Sequence, residues 1–116
     1  IKYSGHRVVL LNSDLRRSAD YESTDQYLNW LGGNLEDDAI ETYSKIVELS
    51  PDVLIVDHYA IDYRWMSYFT ELKVRKVIID DLANRKHLCD LLIDQNFGRT
   101  PRDYAKLVPQ EATRCF

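Results

Sequence analysis

Long hydrophobic runs are missing from this chain of 116 residues. Its apolar stretches are strand-sized, so none is expected to span a bilayer. No basic flank followed by an apolar stretch opens the chain, so no signal peptide is expected. Cysteine is scarce: Cys89 and Cys115 make no disulfide framework and read as reduced thiols of a cytoplasmic protein. An excess of positive charge is also missing, because 15 Lys and Arg stand against 19 Asp and Glu for a net charge of −4. That balance excludes broad binding to nucleic acid or anionic membrane, which needs a concentrated basic face. There is no internal repeat, low-complexity segment or linker. What remains, 45% hydrophobic and 29% charged residues, is the profile of one soluble globular domain.

The order of elements is the main clue to architecture. Ile1 to Gly5 reads as a frayed helix end with a glycine C-cap. His6-Arg7-Val8-Val9-Leu10-Leu11 reads as a strand, and Tyr21 to Trp30 holds a short helix before a turn at Gly32-Gly33. Asn34 is an N-cap, with Glu36, Asp37 and Asp38 at the positive end of the helix dipole. Ala39, Ile40, Tyr43, Ile46 and Val47 recur at helical spacing as one apolar stripe. Ser50-Pro51 ends that helix, since proline disfavours helical geometry in the residue before it. Val53 to Asp57, Lys76 to Asp80 and Asp90 to Asp94 are continuous apolar runs, the pattern of strands covered on both faces. Between the first two, Trp65, Met66, Phe69 and Leu72 recur at helical spacing within Asp62 to Leu72. The connection from Asp80 to Leu91 is too short for a full helix. A helical turn follows Pro101, and Glu111 to Phe116 reads as the start of a further strand. The expected fold is α/β, a Rossmann-like parallel sheet with flanking helices. Both ends suggest a piece of a longer protein.

Three buried-type strands end in polar residues: Asp57-His58-Tyr59, Asp80-Asp81, and Asp94-Gln95-Asn96. In an open parallel sheet, ligands bind in the crevice beyond the carboxyl ends of the strands. Asp and Asn at such places also serve simply as caps of the next turn. Imidazole shuttles protons near neutral pH and a phenol donates to an oxygen, so His58 and Tyr59 are the candidate catalytic groups. Asp57, Asp80, Asp81 and Asn96 are the candidate substrate-binding groups. Side chains 57 and 58 point to opposite faces if strand geometry persists, which argues against a Ser-His-Asp triad, as does the lack of a G-x-S-x-G motif. His87, Cys89 and Asp90 form one short cluster, whereas zinc sites need two such pairs, so no metal site is expected. Cys89 reads instead as a small hydrophobe beside the strand at Leu91, and His6 as an exposed polar residue. An acidic edge repels a diphosphate, and no anion cradle is visible.

From Pro51 to Pro109 the chain resembles a known family. The carrying residues run Pro51-Asp52-Val53-Leu54-Ile55-Val56-Asp57-His58-Tyr59-Ala60-Ile61-Asp62, then Val77-Ile78-Ile79-Asp80-Asp81-Leu82-Ala83-Asn84-Arg85. They continue through His87-Leu88-Cys89-Asp90-Leu91-Leu92-Ile93-Asp94-Gln95-Asn96 to Tyr104-Ala105-Lys106-Leu107-Val108-Pro109. This stretch is similar to the nucleotide-sugar hydrolases of pseudaminic acid biosynthesis and their spore-coat-polysaccharide relatives. Gly5 to Leu10 resembles that family's second strand more loosely. The resemblance implies a two-domain GT-B-type fold, of which this chain is a partial N-terminal, sugar-side half. It implies hydrolysis of a UDP-linked 2,4-diacetamido-2,4,6-trideoxy sugar at its anomeric carbon, with inversion and with neither metal nor cofactor. The family's G-x-G-H motif has no counterpart here, because Gly5-His6 precedes a strand instead of following one. The C-terminal domain that holds the UDP is absent as well, so the chain alone is expected to be inactive. Asp57, His58, Tyr59 and Asp81 match positions near the family's cleft, with Tyr59 closest to the reacting sugar.

Two other classes fit parts of the pattern. In a phosphorelay receiver, Asp57 would be the phosphoacceptor, but receivers carry an acidic Mg²⁺-binding pair before the acceptor. Here Asp80-Asp81 follows it, and no lysine ends the run at Asp94. The other reading is a non-catalytic α/β binding or scaffold domain.

Overall fold

The computed structural model describes residues 5–11 and 27–116. Four parallel strands form one sheet in chain order: β1 (Val53–Val56), β2 (Arg75–Ile79), β3 (Leu91–Ile93) and β4 (Thr113–Cys115). The ladder is in step across the sheet, with Val56 beside Ile78, Ile78 beside Leu92, and Leu92 beside Arg114. Period-two alternation puts Val56, Ile78 and Leu92 on one face, where they enter the core. Two helices and a 3-10 turn pack on this core: α1 (Leu35–Leu49), α2 (Tyr63–Met66) and Ser67–Phe69. Their contribution comes from Ala39 and Ile46 of the first, and from Trp65, Met66 and Phe69 of the second segment. Burying such side chains contributes about 1.5–3 kcal/mol each, and Met66, Phe69 and Leu92 are fully inaccessible.

The local signals produce their elements for physical reasons. Asn34 caps α1 by accepting the Glu36 N–H at 2.7 Å, and Ser50 closes the helix in the left-handed region at φ 47°. Asp62 caps α2 by accepting the Arg64 N–H at 2.8 Å. Helical geometry then lasts one turn and tightens into the 3-10 turn, so the helix anticipated over Asp62 to Leu72 is broken in two. The stripe of α1 is narrower than its spacing suggested. Ile40, Tyr43 and Val47 lie at the surface while Ala39 and Ile46 are buried, because α1 packs chiefly against α2 and the Ser67–Phe69 turn. Tyr43 still stacks on Phe69, with ring centroids 6.2 Å apart.

One expected strand is not seen. Among the described residues His6 to Leu11 is paired to no strand, and Val8 and Leu10 are exposed; Arg7 reaches Glu48 at the end of α1 at 3.2 Å. A short β-branched run becomes a strand only when a neighbouring ladder takes its backbone groups. Of the helix anticipated over Tyr21 to Trp30, the 3-10 turn Leu28–Trp30 is present. Ile1 to Ser4 and Asn12 to Gln26 lie outside the described residues. The strand expected near the end forms as β4, and Pro101–Tyr104 is a 3-10 turn opened by a Thr100/Asp103 capping box. Between Asp80 and Asp90 there is no helix, as the short connection required. Among the described residues, no helix is long and apolar enough to cross a membrane.

Candidate functional site

Parallel pairing aligns the carboxyl ends of β1, β2 and β3, and the polar residues that follow each strand meet there. A cavity of about 200 Å³ is lined by Asp57, Tyr59, Ile79, Asp80, Asp81 and Gln95. Such a volume is below the roughly 300–1,000 Å³ of sites for drug-sized ligands and suits one small ring. Tyr59 lines the cavity and donates its hydroxyl hydrogen to Oδ2 of Asp81 at 3.0 Å. That bond, with the charge of Asp81 behind it, raises the Tyr59 pKa above the ordinary phenol value; Asp57 and Asp80 add to it. The phenol therefore stays protonated at neutral pH, its hydrogen engaged by Asp81. The other oxygen of Asp81, Oδ1, is buried and has no hydrogen-bond partner among the described residues.

The loop after β3 fixes the backbone of Asp81. The Asp81 carbonyl oxygen accepts from Asn96 Nδ2 and from Arg99 Nη2, each at 2.8 Å. Asn96 thus borders the site by holding its backbone. His58 stands apart: its Nδ1 accepts the Ala60 N–H at 3.1 Å, and it lines a different cavity of about 430 Å³ with Leu31, Ile55 and Trp65. The chain turns here, with the Ile61 N–H bonded to the His58 carbonyl at 3.1 Å, so strand alternation does not persist: Asp57 lines both cavities, sharing one with His58 and the other with Tyr59.

Beneath the cavity lies a buried polar network. Asp80 and Asp94 follow Ile78 and Leu92 on the core face and are 3% and 1% exposed. The Tyr104 hydroxyl sits between them, 2.9 Å from Oδ2 of Asp80 and 2.8 Å from Oδ2 of Asp94. Burial pushes the Tyr104 pKa up, and both carboxylates push it further. Burial alone would raise the Asp80 pKa. The nearby His87 imidazole, the Ala83 N–H and the Tyr104 hydroxyl more than reverse this and hold the carboxyl well below the usual carboxylate range. His87 Nε2 is 3.7 Å from Oδ1 of Asp80, and neither ring nitrogen has a hydrogen-bond partner among the described residues. Arg99 pairs with Asp94 at 2.7 Å and Arg85 with Asp80 at 3.4 Å. Asp80 is therefore mainly a structural anion that touches the cavity from below.

The His87, Cys89 and Asp90 cluster does not converge. His87 turns to Asp80, Cys89 packs in the core, and Asp90 accepts the Lys76 N–H at 2.7 Å. Among the described residues, no group of three or more His, Cys, Asp or Glu is placed to hold a metal ion. The receiver reading needs such an acidic group around Asp57.

Sequence reasoning missed three contributors: Tyr104, Arg85 and Trp30. The Trp30 ring meets Tyr59 edge-on at 5.3 Å, and Arg85 lies over the Tyr27 ring at 4.9 Å and the Tyr59 ring at 5.8 Å. A tyrosine following Pro101 by a helical turn was a signal for Tyr104, whereas Trp30 had none. A scan against protein-family models finds no match to the chain, and a search of curated proteins finds none either.

Proposed function

We propose that the chain is the sugar-side half of a nucleotide-sugar hydrolase that releases UDP from a 2,4-diacetamido-2,4,6-trideoxyhexose. One observation carries the reading. The cavity at the strand ends is walled by the carboxylates of Asp57 and Asp81, with the Tyr59 hydroxyl bonded to Oδ2 of Asp81. Ionised carboxylates accept hydrogen bonds and donate none, so this negatively charged wall favours a ligand rich in donors. Sugar hydroxyls and acetamido N–H groups are such donors, while a diphosphate is repelled. The phosphates then belong to a second, nucleotide-holding half of the same polypeptide, facing this edge across a cleft.

In the reaction, water forms a bond to the anomeric carbon as the bond from that carbon to the phosphate oxygen breaks. UDP leaves with the electron pair, and the proton of the water passes to a general base outside the described residues. Asp57 and Asp81 hold the sugar, Tyr59 fixes Asp81 and offers its oxygen lone pairs as acceptors, and Asn96 holds the Asp81 backbone. His58 faces the neighbouring cavity and touches no sugar bound in this one.

Nuclear magnetic resonance titration of the chain with the free sugar tests this. Amides of residues 57–59, 80–81 and 95–96 are expected to shift at millimolar sugar, and Asp81→Asn to abolish the response, while UDP alone leaves this edge unmoved. Shifts confined to other surfaces, or none, overturn the reading. Sugar binding without UDP release by the polypeptide carrying both halves favours a non-catalytic binding domain.

A further inference from the structure

Trp30 is 62% exposed, yet its ring is held from two sides. Tyr27 meets it edge-on, with centroids 6.2 Å apart and planes at 86°, and Tyr59 meets it at 5.3 Å and 63°. The backbone fixes it too, through the Trp30 N–H to the Tyr27 carbonyl at 3.0 Å and the burial of neighbouring Leu28. Tyr27 is in turn covered by the Arg85 guanidinium and accepts from Asn84 Nδ2 at 3.3 Å. A large apolar ring fixed in orientation and open to solvent is a ready contact surface, because its ordering is complete before a ligand arrives.

We propose that Trp30 is the stacking platform for the apolar face of the sugar, a deepening that rests on the sugar-binding reading above. Tyr59 joins the two surfaces that a pyranose needs. Its hydroxyl end belongs to the acidic cavity with Asp57 and Asp81, and its ring packs against Trp30. A sugar carries hydroxyl and amide donors around its rim and C–H groups on its faces. With donors turned to Asp81, a C–H face or a methyl group meets the indole. A deoxy, N-acetylated sugar gains most, since its methyl groups add apolar surface that a fully hydroxylated hexose lacks. A nucleobase would also stack on an indole, but it would bring its phosphates against Asp57 and Asp81.

The test is a titration of the chain with the methyl glycoside of 2,4-diacetamido-2,4,6-trideoxyhexose, reading the two tryptophan indole N–H signals, the Asp81 amide and the sugar methyl protons. Trp65 is buried with its indole N–H bonded to Asp38 at 2.9 Å, so its signal is an internal control. The Trp30 signal is expected to move together with the Asp81 amide, and the sugar methyls to shift upfield. Trp30→Ala should weaken binding about tenfold, the scale of one aromatic packing contact, and Trp30→Phe by less than about threefold. Glucose should bind more weakly than the diacetamido sugar in the wild type and equally weakly in Trp30→Ala. If the Asp81 amide responds and Trp30→Ala binds as well as wild type, the platform is wrong and the sugar site stands. If neither signal responds to sugar, both fall. If uridine monophosphate moves Trp30 without Asp81, the ring serves a base and the proposal is overturned.

Discussion

The hydroxyl of Tyr59 donates to the carboxylate of Asp81 at 3.0 Å, joining the segments that follow β1 and β2 across 22 residues of chain. The bond closes one wall of the cavity and commits the phenol proton.

Removing the acceptor should therefore free the phenol. In Asp81→Asn the Tyr59 pKa is expected to fall back toward the ordinary tyrosine value, read by titrating its ring signals. The sign for stability follows from the raised folded-state pKa. The contribution of Tyr59 is fully present below the unfolded value near 10 and is lost as pH rises through the folded value. Wild type should lose more stability than Asp81→Asn above about pH 10, measured by urea unfolding.

Asp80 acts at the other end of the scale. Its folded-state pKa is depressed below the ordinary 3.8, so its contribution is present above that value and lost as pH falls toward and through the folded one. Urea unfolding between about pH 5 and pH 2 should show a shallower acid loss in Asp80→Asn than in wild type. The variant starts from lower stability at neutral pH, since Arg85 loses its anion.

Tyr104→Phe deletes one oxygen between two buried carboxylates. Leaving buried acceptors short of a donor should cost about 1–3 kcal/mol, seen as a lower urea midpoint with an unchanged slope.

Thiol chemistry separates the two cysteines. Burial, with the charge of Asp90 behind it, pushes the Cys89 thiol up to about 11, while Cys115 is exposed. A disulfide reagent at pH 8 should label Cys115 promptly and Cys89 only on unfolding. Equal rates in the native protein would contradict this burial.

Much of the fold was legible because its signals are local. Asn34 and Ser50-Pro51 bound α1 through groups within a few residues of each other, and the apolar runs at β1, β2 and β3 declare themselves as strands, although β1 is covered on one face only, with Val53 and Ile55 exposed. The strand expected at His6 to Leu11 is not seen among the described residues, and its fate depends on a ladder partner that no local pattern specifies. At the site, the gathering of Asp57, Tyr59 and Asp81 follows from parallel strands ending together. What was not legible is which of two adjacent aspartates goes inward. Asp80 sinks to Tyr104, 24 residues on, and Asp81 turns to Tyr59, a choice made by side chains that come from opposite directions along the chain. Trp30 was invisible for the same reason, since its partner Tyr59 belongs to a later strand end.

The helix-free crossing from Asp80 to Asp90 is tied by its backbone to three distant places: Tyr63 N–H to the Lys86 carbonyl at 2.9 Å, His87 N–H to that of Leu107 at 2.8 Å, and Asp90 N–H to that of Lys76 at 2.9 Å. Although it has no regular structure, it clasps α2, β2 and the stretch after Tyr104 at once. The amide hydrogens of His87 and Asp90 should accordingly trade with deuterium as reluctantly as those of the central strands, released only when the entire molecule opens.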